Sequence, residues 1–475
     1  MITFLLCLAL LVTAYFTYGR FMERLAGADS RAETPCRRLC DGVDYVALPR
    51  WRIFLIQLLN IAGTGPIFGA VLGACFGPVA FVWITLGGIF VGAVHDYLSG
   101  MMAVRNDGLS LPEVIGRYLG NGMRHFLRVF SVLLMVLVGG VFLLSPAQLL
   151  ANMISAVPVS VWVWIILAYY FVATMLPVDK IIGRIYPVFG LALVVMALGL
   201  LGALLFGGWR IPELVALQNF QPDTHALPIM PTLFITIACG AVSGFHATQS
   251  PLMARCVDNE RECRSVFFGA MISESVIALI WAAAAMAFFG GAGELSAALG
   301  QHQGSAAWAV DAVSRGMLGV AGGVLALLGV VAAPITSGDT AFRSARLIVA
   351  DMFRIEQRSK TKRLWVCLPL FVVGFGITRI DFDVIWRYFA WTNQTLAAIV
   401  LWAVVVWLAA RRANRWVALV PAVFMTYVCS SFLFVSEQFF GMQNRMAAYL
   451  LAGAVTLAVV VAMIFKMRRD AKSLS

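Results

Sequence analysis

Charge is what this chain has least of. Asp, Glu, Lys and Arg make up only 12% of its 475 residues, while 61% are hydrophobic. So little charge cannot clothe a water-soluble enzyme, and so much apolar content rules out a disordered chain. The nucleotide-binding pattern Gly-x-x-x-x-Gly-Lys is missing, which argues against ATP-driven pumping by this chain. Also missing is the short alternating pattern of an outer-membrane β-barrel. The nine cysteines are scattered, and Cys7, Cys75, Cys239, Cys367 and Cys429 sit inside apolar runs, where they read as small hydrophobes. Cys36 and Cys40 share a connection but have no His or further Cys beside them, too little for a metal site. Residues 2–18 have neither a basic stretch before them nor a small-x-small cleavage site, so they read as a retained helix and not a secretory signal.

What the chain has in abundance is apolar runs of bilayer length. Mean hydropathy is +0.88, and candidate membrane segments fall at 2–18, 53–77, 79–103, 126–148, 160–178, 184–206, 229–254, 265–290, 317–342, 364–379, 384–410, 416–435 and 446–466. The fold class is therefore an all-α polytopic membrane protein with about thirteen transmembrane helices. The formal net charge of +11 suggests orientation in a bilayer and not contact with nucleic acid. Thirty of the 35 Lys and Arg lie on the odd-numbered connections and the C-terminal tail. The even connections hold only Arg210, Arg315, Arg379, Arg387 and Arg445. By the positive-inside rule the N-terminus is outside and the C-terminus cytoplasmic.

Two segments carry helix breakers at their middle. The second reads Asn60-Ile61-Ala62-Gly63-Thr64-Gly65-Pro66, and the seventh reads Gly240-Ala241-Val242-Ser243-Gly244-Phe245-His246-Ala247-Thr248-Gln249-Ser250-Pro251. Proline removes a donor and glycine lets the backbone unwind, so free carbonyl and N–H groups are expected at membrane depth. Such groups must face protein or a water-filled cavity. The two breaks are five segments apart and hence antiparallel, as an inverted five-plus-five repeat requires. The expected organisation is an extra helix at 1–19, one repeat at 51–206, a second at 229–411, and two further helices at 415–467. It points to a secondary transporter with its site at the midplane.

Polar residues buried in membrane segments mark a pathway. His95 and Asp96 lie about 24 Å along the third segment at the usual helical rise, placing them in its inner half as a proton acceptor or gate. Their bland alternative is a polar pair bonding Arg105. His246 in the seventh break can donate to a substrate carboxylate or exchange a proton. Glu274 lies ten residues into the eighth segment among apolar neighbours, a position suited to carrying a coupling proton. The ninth segment holds Pro334-Ile335-Thr336-Ser337-Gly338-Asp339-Thr340, hydroxyls and a carboxylate suited to a cation or a proton relay; an Asp339–Arg343 pair on successive turns is the alternative. In the eleventh, Asn393 and Gln394 either line the cavity or bond neighbouring helices. The half-helix starting near Pro66 presents N–H groups that suit a small carboxylate. No basic run lines the segments, which disfavours polyphosphates.

The stretches Asp41–Val46, Ala62–Gly69, Gly92–Tyr97, Ile237–His246 and Ala390–Gln394, in this order, resemble the carbon starvation protein A (CstA) family of bacterial transporters. The resemblance covers most of segments two to eleven. It implies uptake of pyruvate and peptides across the inner membrane, proton coupling, and a fold related to LeuT-type amino acid transporters. Segments two and seven would then be the substrate-binding helices. Thr336 and Ser337 would fall on the helix that supplies hydroxyls to a cation site in sodium-coupled relatives. The chain is shorter than the long members of that family and lacks their extra C-terminal segments.

Taken together, the expected activity is ion-coupled symport of a small carboxylate or peptide, with H⁺ or Na⁺ as coupling ion, membrane lipid as surroundings, no cofactor and no resident metal. Expected substrate-binding residues are Asn60, Gly63, Thr64, Gly65, Pro66, Ser243, Gly244, Phe245, His246, Gln249, Asn393 and Gln394. Expected ion-coupling residues are His95, Asp96, Glu274, Thr336, Ser337, Asp339 and Thr340. Competing readings are a sodium-coupled amino acid symporter, a channel, and a redox protein holding haem between His95 and His246.

Overall fold

A computed structural model describes residues 1–42, 45–175, 186–355 and 359–472. The end of the fifth expected segment, the connection after it, and Val43 and Asp44 of the stretch before the second lie outside the described residues. Every regular element among those described is helical, and each of the thirteen expected segments contains helix. Among the described residues nine helices are long and apolar enough to cross a membrane alone, and ten if the bent pair Arg50–Ala62 and Gly65–Ala74 is taken as one span. The fifth, seventh and tenth expected segments are shorter or interrupted: Val159–Met175, Ile229–Thr236 followed by Gly244–Ala254, and Lys360–Ile377.

Both expected breaks are present, and one is narrower than the sequence suggested. In segment two the helix stops at Ala62, Gly63 takes φ 21° and ψ −138°, and the chain resumes at Gly65 after a 56° bend. In segment seven the central irregular stretch is Ile237–Ser243, with Met230 also non-helical near its start. Helix resumes at Gly244 and continues past Pro251. Segment nine also differs from expectation. The helix turns at Gly319 (φ 62°), so the membrane candidate starts at Gly322 and continues to Phe353. Asp339 therefore lies near its middle, and Pro334 is absorbed in a continuous helix preceded by a wide turn at Ala326–Val331.

Side-chain contacts sort the connections onto two faces. On one, Arg37 holds Asp258 through bonds of 2.6 and 2.8 Å, Arg38 pairs with Asp107, and Arg105 grips Glu260 at 2.9 and 2.8 Å while also donating to the Ala26 and Gly27 carbonyls. The Arg37 guanidinium keeps the Asp258 carboxyl below its usual range. These contacts join the first, third and seventh connections. On the opposite face Glu213 of the sixth connection accepts from the Ile2 and Thr3 amides at 2.7 and 2.9 Å, and Arg445 donates to the His225 carbonyl. The odd-to-odd and even-to-even grouping matches the charge pattern of the sequence. Between the faces lies a core in which most side chains of segments three and eight are buried, while the first and last helices leave large apolar residues such as Leu6, Phe16, Leu450 and Phe465 exposed.

Candidate transport site

The two breaks touch. A Cβ on Gly65 would run into the Cys239 side chain, and Gly240, at φ 91°, lies against Pro66 and Ala278. Only glycine permits this approach, because any side chain at Gly65 would push the two unwound backbones apart. Pro66 opens the second half-helix next to this contact, and the Phe142 ring lies against Gly63 on the other side. Asn60 and Thr64 are wholly buried, and neither side chain has a hydrogen-bond partner. Buried polar atoms left unpaired cost about 1–3 kcal/mol each, so these groups are held ready for something that answers them.

Below the contact, four titratable side chains from three segments form one chain. Asp96 Oδ1 is 2.7 Å from His95 Nδ1, and Asp96 Oδ2 is 2.8 Å from His246 Nδ1. His246 Nε2 stands 3.4 Å from Glu274 Oε2. All four are fully buried. Arg105 is engaged by Glu260, so the alternative of a His95–Asp96 pair bonding Arg105 does not hold. Cys239 Sγ, His246 Nε2 and a Glu274 oxygen all lie within 4.8 Å of one another, a set that a single ion could bridge. The two ring nitrogens of His246 face carboxylates at 2.8 and 3.4 Å.

The seventh half-helix is positioned by segment eleven. Asn393 Oδ1 accepts from the Phe245 amide at 2.7 Å, and its amide nitrogen is 3.0 Å from Ser243 Oγ. Gly244 packs against the Asn393 carbonyl and Leu396, with no room for a side chain. Asn393 thus caps the resumed helix in trans and satisfies donors the break leaves free. Gln394 bonds the Phe234 carbonyl at 3.1 Å. The segment-eleven amides accordingly serve to bond neighbouring helices. The Phe245 ring meets Phe142 edge to face. Gln249 donates to Thr248 Oγ1, leaving its carbonyl oxygen unpartnered.

The ninth-segment cluster is a separate group. Thr336, Ser337 and Thr340 donate to the carbonyls of Ala333, Leu59 and Ser337 at 2.8, 3.0 and 3.0 Å. Asp339 accepts from Tyr186 at 2.9 Å and faces Arg343 at 3.7 Å, and Arg343 reaches the Ala173 carbonyl. The i,i+4 pair is thus formed.

Two residues of the site escaped the sequence reading. Cys239 looked like a small hydrophobe. Gln57 lies one turn before Asn60 on the same helix face, fully buried with neither end of its amide bonded. An amide spaced three residues from Asn60 within an apolar run was the available signal.

An all-helical membrane fold interrupted in two antiparallel segments, with buried polar groups gathered where the interruptions meet, defines a protein with the LeuT-like architecture of secondary transporters. The solved structure of MhsT in complex with L-phenylalanine superposes with a TM-score of 0.59, covering 88% of this chain and 99% of that one; at 13% identity the likeness speaks for the fold alone. The chain belongs to the carbon starvation protein CstA family, whose model matches residues 1–161, 145–325 and 303–431. A membrane protein of Haemophilus influenzae is 42% identical over 340 residues, covering 61% of this chain and 91% of that protein. The peptide transporter CstA of Helicobacter pylori is 29% identical over 315 residues, covering 53% of this chain and 46% of that one. The pyruvate/proton symporter BtsT of Escherichia coli is 27% identical over 344 residues, covering 57% and 46%. The chain spans about half the length of these named transporters.

Proposed function

We propose that this protein imports a small carboxylate, pyruvate or a short peptide, across a bacterial inner membrane by proton symport with alternating access. The observation that carries the reading is the buried chain Asp96–His246–Glu274 directly beneath the contact between the two broken helices. An imidazole bonded through Nδ1 to one carboxylate and facing another through Nε2 can take a proton on one nitrogen and release it from the other. His95 holds the second oxygen of Asp96 and orients it.

The substrate sits between the breaks, where Gln57, Asn60, Thr64 and Gln249 hold unspent polar atoms. Gly63, Gly65 and Gly244 let the segments around it pack closely, and Asn393 with Ser243 holds the half-helix beyond the seventh-segment break while Gln394 holds the helix before it. Segments 51–206 and 229–411 act as the two inverted halves. The arginine-rich face is cytoplasmic, which leaves the N-terminus outside.

Proton coupling is favoured over sodium by the ninth segment. The charge of Asp339, the carboxylate of its polar cluster, is answered by Arg343. A monovalent cation placed there would find no net negative charge.

The test is uptake of labelled pyruvate and of labelled alanylalanine into proteoliposomes under an imposed proton gradient, then a sodium gradient. Saturable accumulation driven by protons alone is expected for at least one substrate. Accumulation that needs sodium, or uptake that neither saturates nor concentrates, would reject the reading, the latter in favour of a channel.

A further inference from the structure

Among the described residues, Arg387 of the outward-assigned face has no carboxylate paired with it, as Arg210, Arg379 and Arg445 have none, and it is set apart from them by the cavity it lines. A cavity of about 490 Å³ opens among the even-numbered connections and descends along the second half of segment two. Leu72 and Phe76 form one wall, Thr236 and Trp386 line its depth, and Arg387 and Glu437 lie around it. Its deep end adjoins the break. The Thr236 carbonyl and the Trp386 ring both contact the Cβ position of Gly69, which is one helical turn beyond Gly65.

Among the described residues, Arg387 is the only Lys or Arg lining this cavity, and it has no ion-pair, hydrogen-bond or ring partner. It is half-buried at the start of helix Phe382–Ala410. A guanidinium offers a planar fork of donors that matches a carboxylate with two parallel bonds. The preceding residue, Trp386, is 5% exposed and its indole N–H has no acceptor. The lining also carries two acids, and among the described residues neither is paired with Arg387: one Asp223 oxygen accepts from the His225 and Ala226 amides at 2.9 and 2.8 Å, and Glu437 is exposed to solvent.

We propose that this vestibule is the docking site for the carboxylate of the incoming substrate, with the Arg387 guanidinium as its partner, an inference that rests on the transport reading above for the substrate's class. The carboxylate pairs with Arg387 first and then moves one turn deeper to the break. Pyruvate and a peptide C-terminus share this group, so both are tested.

The experiment measures uptake and binding in the purified, reconstituted full chain for wild type, Arg387→Gln and Arg387→Lys. The probes are pyruvate, alanylalanine and alanylalanine amide. Arg387→Gln is expected to raise KM for the transported acid about tenfold or more, with the maximal rate near wild type, and Arg387→Lys to fall between. Binding, read as ligand-induced thermal stabilisation, is expected to weaken for the acid in Arg387→Gln while the amide behaves alike in both proteins. An unchanged KM in Arg387→Gln, or an equal loss for acid and amide, would overturn the proposal. Wild type that binds the acid in an Arg387-dependent way yet accumulates nothing would uphold the docking site and remove the transport reading alone. Binding identical in wild type and Arg387→Gln would remove the docking site.

Discussion

At the scale of single residues, the chemistry of this protein comes down to which buried polar groups are already spent. Asn393 is spent on a neighbouring helix, Gln394 is bonded to one through its amide nitrogen alone, and Asp339 is engaged by Tyr186 and Arg343 through a single oxygen. Glu274 is not: neither of its oxygens has a hydrogen-bond partner, and its nearest ionisable neighbour is His246 at 3.4 Å. A carboxyl in that position can change protonation without dismantling a structural bond, whereas a change at Asp339 would strand a buried guanidinium at a cost of about 3–5 kcal/mol. This difference separates a proton carrier from a strut. Glu274→Gln and Asp96→Asn should therefore lose accumulation driven by a proton gradient while counterflow exchange of substrate persists. Parallel uptake and exchange assays check this, and full accumulation in both variants would take the pair out of the mechanism.

At the scale of elements, the decisive feature is backbone against backbone. Gly65 meets Cys239 because both segments unwind at the same depth and neither places bulk between them. Replacing Gly65 with Ala forces a methyl into the Cys239 side chain, and overpacking of this kind typically costs about 1–3 kcal/mol. The expected outcome is loss of substrate binding with insertion retained, partly restored when Cys239→Gly is added to Gly65→Ala. Failure of the second change to restore any binding in a ligand thermal-shift assay would mean that the contact does not set the site. On the arginine-rich face, the bonds from Arg37 to Asp258 and from Arg105 to Glu260 tie three connections together. If that face is cytoplasmic as proposed, these bonds close the inner end while the cavity with Arg387 stands open on the other.

At the scale of the whole molecule, sidedness can be read from a single thiol. Of nine free cysteines, Cys40 is the exposed one, and it lies on the face shared by the first, third and seventh connections. If that face is cytoplasmic, a membrane-impermeant maleimide should label Cys40 in inside-out vesicles and leave right-side-out vesicles unlabelled. The reverse pattern would invert the assigned orientation. Much of this scale was legible from the chain alone. Helical class, segment positions and the odd-even division of Lys and Arg follow from hydropathy and charge, which act residue by residue along the sequence. So did the two breaks, because Gly and Pro act on the backbone locally.

Tertiary structure alone decided which buried groups meet. No spacing in the chain joins Asp96 to His246, 150 residues away, or marks Cys239 as the neighbour of Gly65, because those contacts exist only once segments three, seven and eight pack side by side. Nor does sequence show that a polar side chain is spent. Asn393, Asp339 and Glu274 look alike as polar residues in apolar runs, and they differ in whether a partner happens to stand within 3 Å. The sequence by itself thus determined that the chain spans a membrane in helices broken twice, since that is enforced by the cost of unpaired backbone in lipid. Packing decided where a proton could travel and where a carboxylate could dock, since both depend on distances between segments that the linear order does not encode.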